Sequence, residues 1–344
     1  MKYNPSLPPL KAGDVLDNGK YEIVSDTENA GGFGRIYKAR VLRSNYKSNI
    51  GNMVAVKEFH VHELDDTLRS RMSTTGLSTA TGECYAKWFL KQFIEESKVL
   101  RVLSRQRDCH IPNHYHSAKE EQGRWYYTMS FIEGPTLKQS IEEHGPMKEA
   151  EAIDLVVQVA KVLHKAHAER LYHCDVSPNN IMLDHGFAVL VDFGNAKGYK
   201  NLLQSHLLQT EGTNHSLTDG ALQTEWDEEM MESIIQGPIG TPGFAAPDHF
   251  DGKPQGDVFS LSAVLYFLLT GSKPPYYGKK NWMAKAREVL DKHDVSLTTI
   301  DAIVHALQPQ LDICTQSARD FILELPNEIV LDTLLNYNDH DYNR

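Results

Sequence analysis

The chain has 344 residues, 41% of them hydrophobic and 24% charged, with a formal net charge of -11. It is long enough for one large or two small cores, and its acidic balance argues against a nucleic acid or an anionic membrane as main partner, since either is met by a basic face. No apolar run reaches the roughly eighteen residues of a membrane span, Met1 to Leu10 lacks the basic and apolar regions of a signal peptide, and Cys84, Cys109, Cys174 and Cys314 form no CxxC pair, so the expectation is a soluble protein of a reducing cytoplasm.

In chain order, Asn29-Ala30-Gly31-Gly32-Phe33-Gly34-Arg35-Ile36-Tyr37-Lys38-Ala39 predicts two strands joined by a glycine turn, which lets backbone approach a ligand closely because glycine has no Cβ. Val54-Ala55-Val56-Lys57-Glu58 predicts a short apolar strand ending in a lysine. His60 to Gly82 has little apolar periodicity and reads either as an insert that biases the helix after it or as a passive surface loop. Between Tyr85 and Ser104, Phe89, Phe93, Leu100 and Leu103 recur at helical spacing. Glu96 lies on that stripe and Glu95 is turned about 100° from it. A carboxylate on a buried face needs a cation, and Lys57 is the candidate. Cys109, His110, His114 and His116 lie close in sequence, but at no zinc-motif spacing.

Further on, Tyr126-Tyr127-Thr128-Met129-Ser130-Phe131-Ile132-Glu133-Gly134 predicts a strand that runs into a linker. Tyr172-His173-Cys174-Asp175-Val176-Ser177-Pro178-Asn179-Asn180-Ile181-Met182-Leu183 follows, and then Asp192-Phe193-Gly194, seventeen residues after Asp175 and twelve after Asn180. Residues 192–248 carry several Ser and Thr residues and an acidic run from Glu225 to Glu232, read as a solvated, disordered segment or as one that meets a basic substrate or a docking partner. Gly240-Thr241-Pro242-Gly243-Phe244-Ala245-Ala246-Pro247-Asp248 closes that stretch, and an apolar helix is expected from Asp257 to Leu269, ended by Thr270-Gly271.

In this order and at these spacings, the stretches resemble the protein kinase family over about residues 20 to 325, and most of all its stand-alone bacterial serine/threonine members. The resemblance implies an α+β, two-lobed protein kinase fold, with a small β-rich N-lobe and a larger, mostly helical C-lobe. Its boundaries would be an extension over 1–19, the N-lobe over 20–132 with the 60–82 insert, the C-lobe over 133–325 with a long activation segment over 192–248, and a tail over 326–344. The cofactors implied are ATP and Mg²⁺, or Mn²⁺ in its place. Asp175 would accept the proton of an attacking hydroxyl, and Asn180 and Asp192 would hold the metal. Lys57, paired with Glu96, would hold the α and β phosphates. Gly31, Gly32, Phe33 and Gly34 would cover the phosphates. Ile36, Ala55 and Met182 would sandwich the adenine, Met129 would stand as gatekeeper, and backbone groups of Ser130 and Ile132 would bind the adenine edge. Asp257 would accept hydrogen bonds from the backbone near His173.

Four positions depart from the family pattern. Asn29 replaces the first loop glycine and tolerates positive φ. Cys174 replaces an arginine that receives activation-segment phosphate, so that switch is not expected here. Ser177 stands where a lysine reaches the γ-phosphate. Cys314 faces Asp248 where an Arg–Glu ion pair is usual. The expectation is transfer of the ATP γ-phosphoryl group to Ser/Thr hydroxyls of proteins, the chain itself included. A nucleotide-binding pseudokinase scaffold and a phosphotransferase for a small hydroxylated molecule remain the alternatives.

Overall fold

A computed structural model describes residues 7–26, 34–44, 49–60, 81–105, 110–198 and 240–330, with backbone alone over 81–87. Residues 61–80 of the insert expected over 60–82, residues Asn29 to Phe33 of the glycine turn, Cys109 and the acidic part of the 192–248 segment lie outside those residues. The chain divides into two compact units, the first within Met1–Arg105 and Asn113–Phe131, the second within Gln106–Pro112, Ile132–Leu202 and Pro238–Arg344.

The first unit is a six-stranded sheet of β1 (Val15–Leu16), β2 (Tyr21–Asp26), β3 (Gly34–Val41), β4 (Met53–Phe59), β5 (His114–Glu121) and β6 (Arg124–Ser130), in the order β1-β2-β3-β4-β6-β5. Each pairing is antiparallel. Because side chains alternate along a strand, the register sorts residues by face. Ile36 lies opposite Lys57, and Ala55 lies opposite both Lys38 and Met129. One face therefore carries Ile36, Lys38, Ala55, Lys57, Tyr127 and Met129. The other carries Tyr37, Ala39, Val54, Val56 and Tyr126 into a core that Leu10 and Leu16 close. Within the extension expected over 1–19, Leu10 and Leu16 are thus part of this core, and Val15–Leu16 pair with the sheet. A two-residue strand shows no alternation by which to be recognised.

Helix α1 (Thr81–Ser104) packs Phe89, Leu90, Phe93, Ile94 and Leu100 on Phe59, Trp125 and Tyr127. Ring centroids of Phe93 lie 5.5 Å from Phe59 and 5.1 Å from Tyr127, each buried aromatic contributing about 1.5–3 kcal/mol. His114 stacks on Tyr127 at 6.4 Å, and its Nε2 lies 3.3 Å from Ser97 Oγ on α1.

The second unit contains α2 (Leu137–His144), α3 (Glu149–Ala168), a β7–β8 hairpin (Ile181–Asp184 and Phe187–Leu190), α4 (Pro254–Thr270), α5 (Trp282–Asp291), α6 (Leu297–Ala306) and α7 (Ala318–Glu324). Helix α4 is apolar on all sides, from Val258 to Leu269, and is therefore the buried axis of the unit. It begins three residues before the expected Asp257, because Pro254 fits the first helical turn, where its missing N–H has no intrahelical partner to lose. The tail expected from 326 is also packed at its start, with Val330 buried. Gln158 of α3 is fully buried, its Oε1 accepting from Ala188 N at 2.7 Å, and so ties β8 to the helix.

The linker from Gly134 to Thr136 lies flat on β7: Leu183 N donates to Pro135 O at 2.8 Å and Thr136 bridges Met182. A Cβ on residue 134 would fall 1.5 Å from Leu183 O, closer than any atom pair allows. Gly134→Ala is therefore expected to destabilise the second unit by at least about 1–3 kcal/mol in urea unfolding, as overpacking does. An unchanged midpoint would mean that the linker does not rest on β7.

Burial, reinforced by the positive charges of Arg101 and His116, pulls the His114 imidazole down to about 4 from its usual 6.5. The unfolded chain then binds the extra proton first, so this contribution is complete above about pH 6.5 and is lost as pH falls toward 4. His116 is lowered in the same direction, by burial and then Lys20. The urea midpoint of the first unit should fall between about pH 7 and pH 5, less steeply in His114→Gln; equal slopes in the two proteins would refute the account.

Candidate active site

The segment from Leu171 to Asn180, between α3 and β7, is held from beneath by one carboxylate. Asp257 of α4 is 1% exposed. Its Oδ2 accepts from His173 N and lies against His167 Nε2, both at 2.8 Å, and its Oδ1 accepts from Cys174 N at 2.8 Å. Burial alone would raise this carboxyl, but the His167 contact, the nearby His173 and the backbone N–H outweigh it and hold it below the usual range. Cys174 has φ +62, a conformation that costs a non-glycine residue about 1–2 kcal/mol and is fixed here by its bond to Asp257. Its Sγ points to Tyr172 O at 3.6 Å, and burial followed by the charge of Asp257 pushes the thiol up, so it is a poor nucleophile.

His173 links this segment to the stretch after β8. Its Nε2 lies 3.2 Å from Val191 O, its Nδ1 accepts from Asp175 N at 3.3 Å, and its ring meets Phe193 edge-on at 4.8 Å. Tyr172 and Lys197 exchange both backbone hydrogen bonds at 2.9 and 2.8 Å. Asp192 is exposed, has φ +63, and accepts from Gly194 N at 3.3 Å.

Asp175 is the centre of the cluster. Its Oδ1 accepts from the Thr241 backbone N and from Thr241 Oγ1, both at 2.8 Å. Its Oδ2 accepts from Asn180 Nδ2 at 3.1 Å and from Asn195 Nδ2 at 3.3 Å. Asn180 Nδ2 also donates to Asp175 O at 2.9 Å, which turns the amide nitrogen of Asn180 inward and its oxygen away from Asp175. Gly240 makes the approach of Thr241 feasible, with φ +105 and a position where a Cβ would stand 3.3 Å from Cys174 O. Neither Thr241 nor Asn195 was marked by the motifs as touching Asp175. Thr241 stood in a recognisable segment, whereas Asn195 carried no signal beyond following Asp192-Phe193-Gly194. Ser177 is fully buried, with no partner for its hydroxyl among the described residues, and so offers no exposed donor.

On the first unit, Lys57 Nζ meets Glu96 Oε1 at 2.6 Å, and Tyr127 OH donates to the same oxygen at 3.0 Å. Glu95 instead meets Lys98 at 2.8 Å. Ile36, Ala55 and Met129 share the sheet face of Lys57. Ser130 N donates to Asn113 O at 2.8 Å. Gly34 opens β3, and Gly31, Gly32 and Phe33 lie outside the described residues. In the second unit Ile132 begins the linker, and Met182 is fixed on β7 by its bridge to Thr136.

Where the ion pair of Asp248 was expected to be missing, a neutral joint is found. Gln255 Nε2 donates to Gln316 Oε1 at 3.0 Å, Gln316 donates to Leu311 O at 2.8 Å, and His249 Nε2 reaches Pro309 O at 2.8 Å. Cys314 is buried and Asp248 exposed.

Removing one member of a buried ion pair strands the other, at about 3–5 kcal/mol, whereas replacing both with apolar groups does not. Lys57→Met should thus lower the urea stability of the first unit by about that amount, Lys57→Met with Glu96→Leu should recover most of it, and Glu95→Gln should shift it by less than about 1 kcal/mol. Additive losses in the double variant would contradict a direct pair.

The protein kinase domain family matches residues 30–328. Serine/threonine-protein kinase PknE of Mycobacterium bovis is 28% identical over 222 residues, 63% of this chain and 33% of its own length. Serine/threonine-protein kinase PknA of Nostoc sp. is 27% identical over 202 residues, 56% of this chain and 31% of its own. The chain thus spans about a third of the length of these curated relatives. The crystal structure of Rad53 1–466 in complex with AMP-PNP matches with a TM-score of 0.55 at 17% identity, covering 88% of this chain and 64% of that one, which is a likeness of fold. With the family match running through nearly the whole chain, and its two units carrying the α+β architecture of that fold, the chain belongs to the protein kinase family.

Proposed function

We propose that the chain is an ATP-dependent protein kinase that moves the γ-phosphoryl group of ATP to serine and threonine hydroxyls of proteins, itself among them, in the cytoplasm. The observation that carries this reading is the Asp175 carboxylate, oriented through both oxygens by Thr241, Asn180 and Asn195. A carboxylate so fixed receives the proton of a hydroxyl as that oxygen bonds to phosphorus and the bond to the ADP leaving oxygen breaks. Lys57, held in place by Glu96, binds the α and β phosphates. Ile36, Ala55, Met129 and Met182 supply apolar surface for adenine, with backbone groups of Ser130 and Ile132 on its edge.

The donor set at Asn180 and Asp192 fits a hard cation: one amide oxygen turned away from Asp175 and one exposed carboxylate. When bound there, Mg²⁺, or Mn²⁺ in its place, would neutralise charge on the phosphate oxygens. Among the described residues no helix is long and apolar enough to cross a membrane, which is compatible with the proposed location.

The test incubates the protein with Mg-ATP and a protein extract, beside Asp175→Asn and Asp192→Ala, and maps phosphosites by mass spectrometry. Protein phosphosites should depend on Asp175, and each variant should lose at least about a hundredfold in rate, roughly 2.7 kcal/mol of transition-state stabilisation. Nucleotide binding without transfer would favour a scaffold instead, and ATP turnover stimulated only by small alcohols or sugars would favour a small-molecule phosphotransferase. Near-normal transfer by Asp192→Ala would remove the metal assignment.

A further inference from the structure

The two oxygens of Asp175 are held unequally. Oδ1 receives two donors from one residue, Thr241, both at 2.8 Å. Oδ2 depends on two amides at longer distances, Asn180 at 3.1 Å and Asn195 at 3.3 Å, and the Asn180 nitrogen is shared with Asp175 O at 2.9 Å. None of these donors is a cation. Position 177, two residues on, holds a buried serine whose hydroxyl has no partner among the described residues, and Cys174 turns its sulfur to Tyr172 O.

The backbone delivers Asn195 to this place from both sides. It ends the 3-10 turn Phe193–Asn195, whose first residue is buried against His173, and Ala196 N closes the turn on Phe193 O at 3.0 Å. Two residues later Lys197 is locked to Tyr172 by paired backbone bonds. A side chain flanked by two such anchors is a pre-ordered donor, and a neutral amide orients a carboxylate without cancelling its charge.

We infer that Asn195 is a positioning residue for Asp175, aiming Oδ2, the less tightly held oxygen, at the hydroxyl whose proton it takes, at a place where no cation among the described residues bonds to that carboxylate. The inference rests on the phosphotransferase reading above. In the step it serves, the hydroxyl oxygen bonds to the γ-phosphorus, the bond from that phosphorus to the leaving oxygen of ADP breaks, and the hydroxyl proton passes to Asp175. Asn195 itself exchanges no proton.

Two substitutions separate orientation from packing. Asn195→Leu keeps the volume and removes the donor, and Asn195→Asp keeps the shape but offers only acceptor oxygens and a second negative charge beside Asp175. With a protein substrate and Mg-ATP, kcat should fall about tenfold in Asn195→Leu and further in Asn195→Asp, with KM for ATP and the Kd for ADP unchanged. In the nucleotide-free protein, a double-mutant cycle of Asn195→Leu with Asp175→Ala in urea should show coupling of at least about threefold in the folding constant. Wild-type transfer with a normal kcat in Asn195→Asp, or a cycle without coupling, would overturn this inference and leave the kinase reading standing. Absence of transfer by the wild type itself would overturn both.

Discussion

The second unit depends on a single carboxylate removed from water. Isolating an ion in a protein interior costs several kcal/mol unless its lone pairs are met, and Asp257 is met by two backbone N–H groups and one imidazole. These contacts do more than offset the burial. They fix consecutive peptide units at His173 and Cys174, one of them in the left-handed region, and so set the direction in which the next residue, Asp175, leaves the backbone. The anchor is itself immobile, because the helix that carries it is apolar on every side and forms the axis of its unit. The orientation of Asp175 is thereby referred to the most buried part of the fold.

The first unit solves a similar problem with a pair. Lys57 and Glu96 are both withdrawn from solvent, on a strand and a helix that pack through Phe59, Tyr127, Phe89 and Phe93. A buried pair of this kind adds little net stability, yet it admits only one rotational setting of the helix, since any other strands a charge. Aromatic packing supplies the adhesion, and the ion pair supplies the register.

Much of this was legible in the residues. The stripe of Phe89, Phe93, Leu100 and Leu103 selects Glu96 over Glu95, and the structure shows the same choice. The anchoring role of Asp257 also followed from the family likeness. What escaped were contacts between residues far apart in sequence. Thr241 reaches Asp175 across 66 positions, and nothing about a threonine in a loop announces such a bond. Asn195 is nearer, but an asparagine after a turn is ordinary turn chemistry. The packing of Leu10 and Leu16 escaped because two isolated leucines make no period. The inward placement of Ser177 escaped because the family pattern puts a long cation at that position.

The neutral joint between residues 249–255 and 309–316 has an implication for how such a chain can change over time. A buried Arg–Glu pair is a lock with two keys: losing either leaves an unpaired charge, at about 3–5 kcal/mol, so neither can drift alone. The links through Gln255 and Gln316 are hydrogen bonds of uncharged amides, each worth about 0.5–1.5 kcal/mol net. Either partner can be exchanged without stranding a charge, and the bonds are indifferent to ionic strength because no Coulomb attraction is screened. This corner of the fold is therefore free to diverge residue by residue, in high salt or low, where an ion-paired relative must change two residues together.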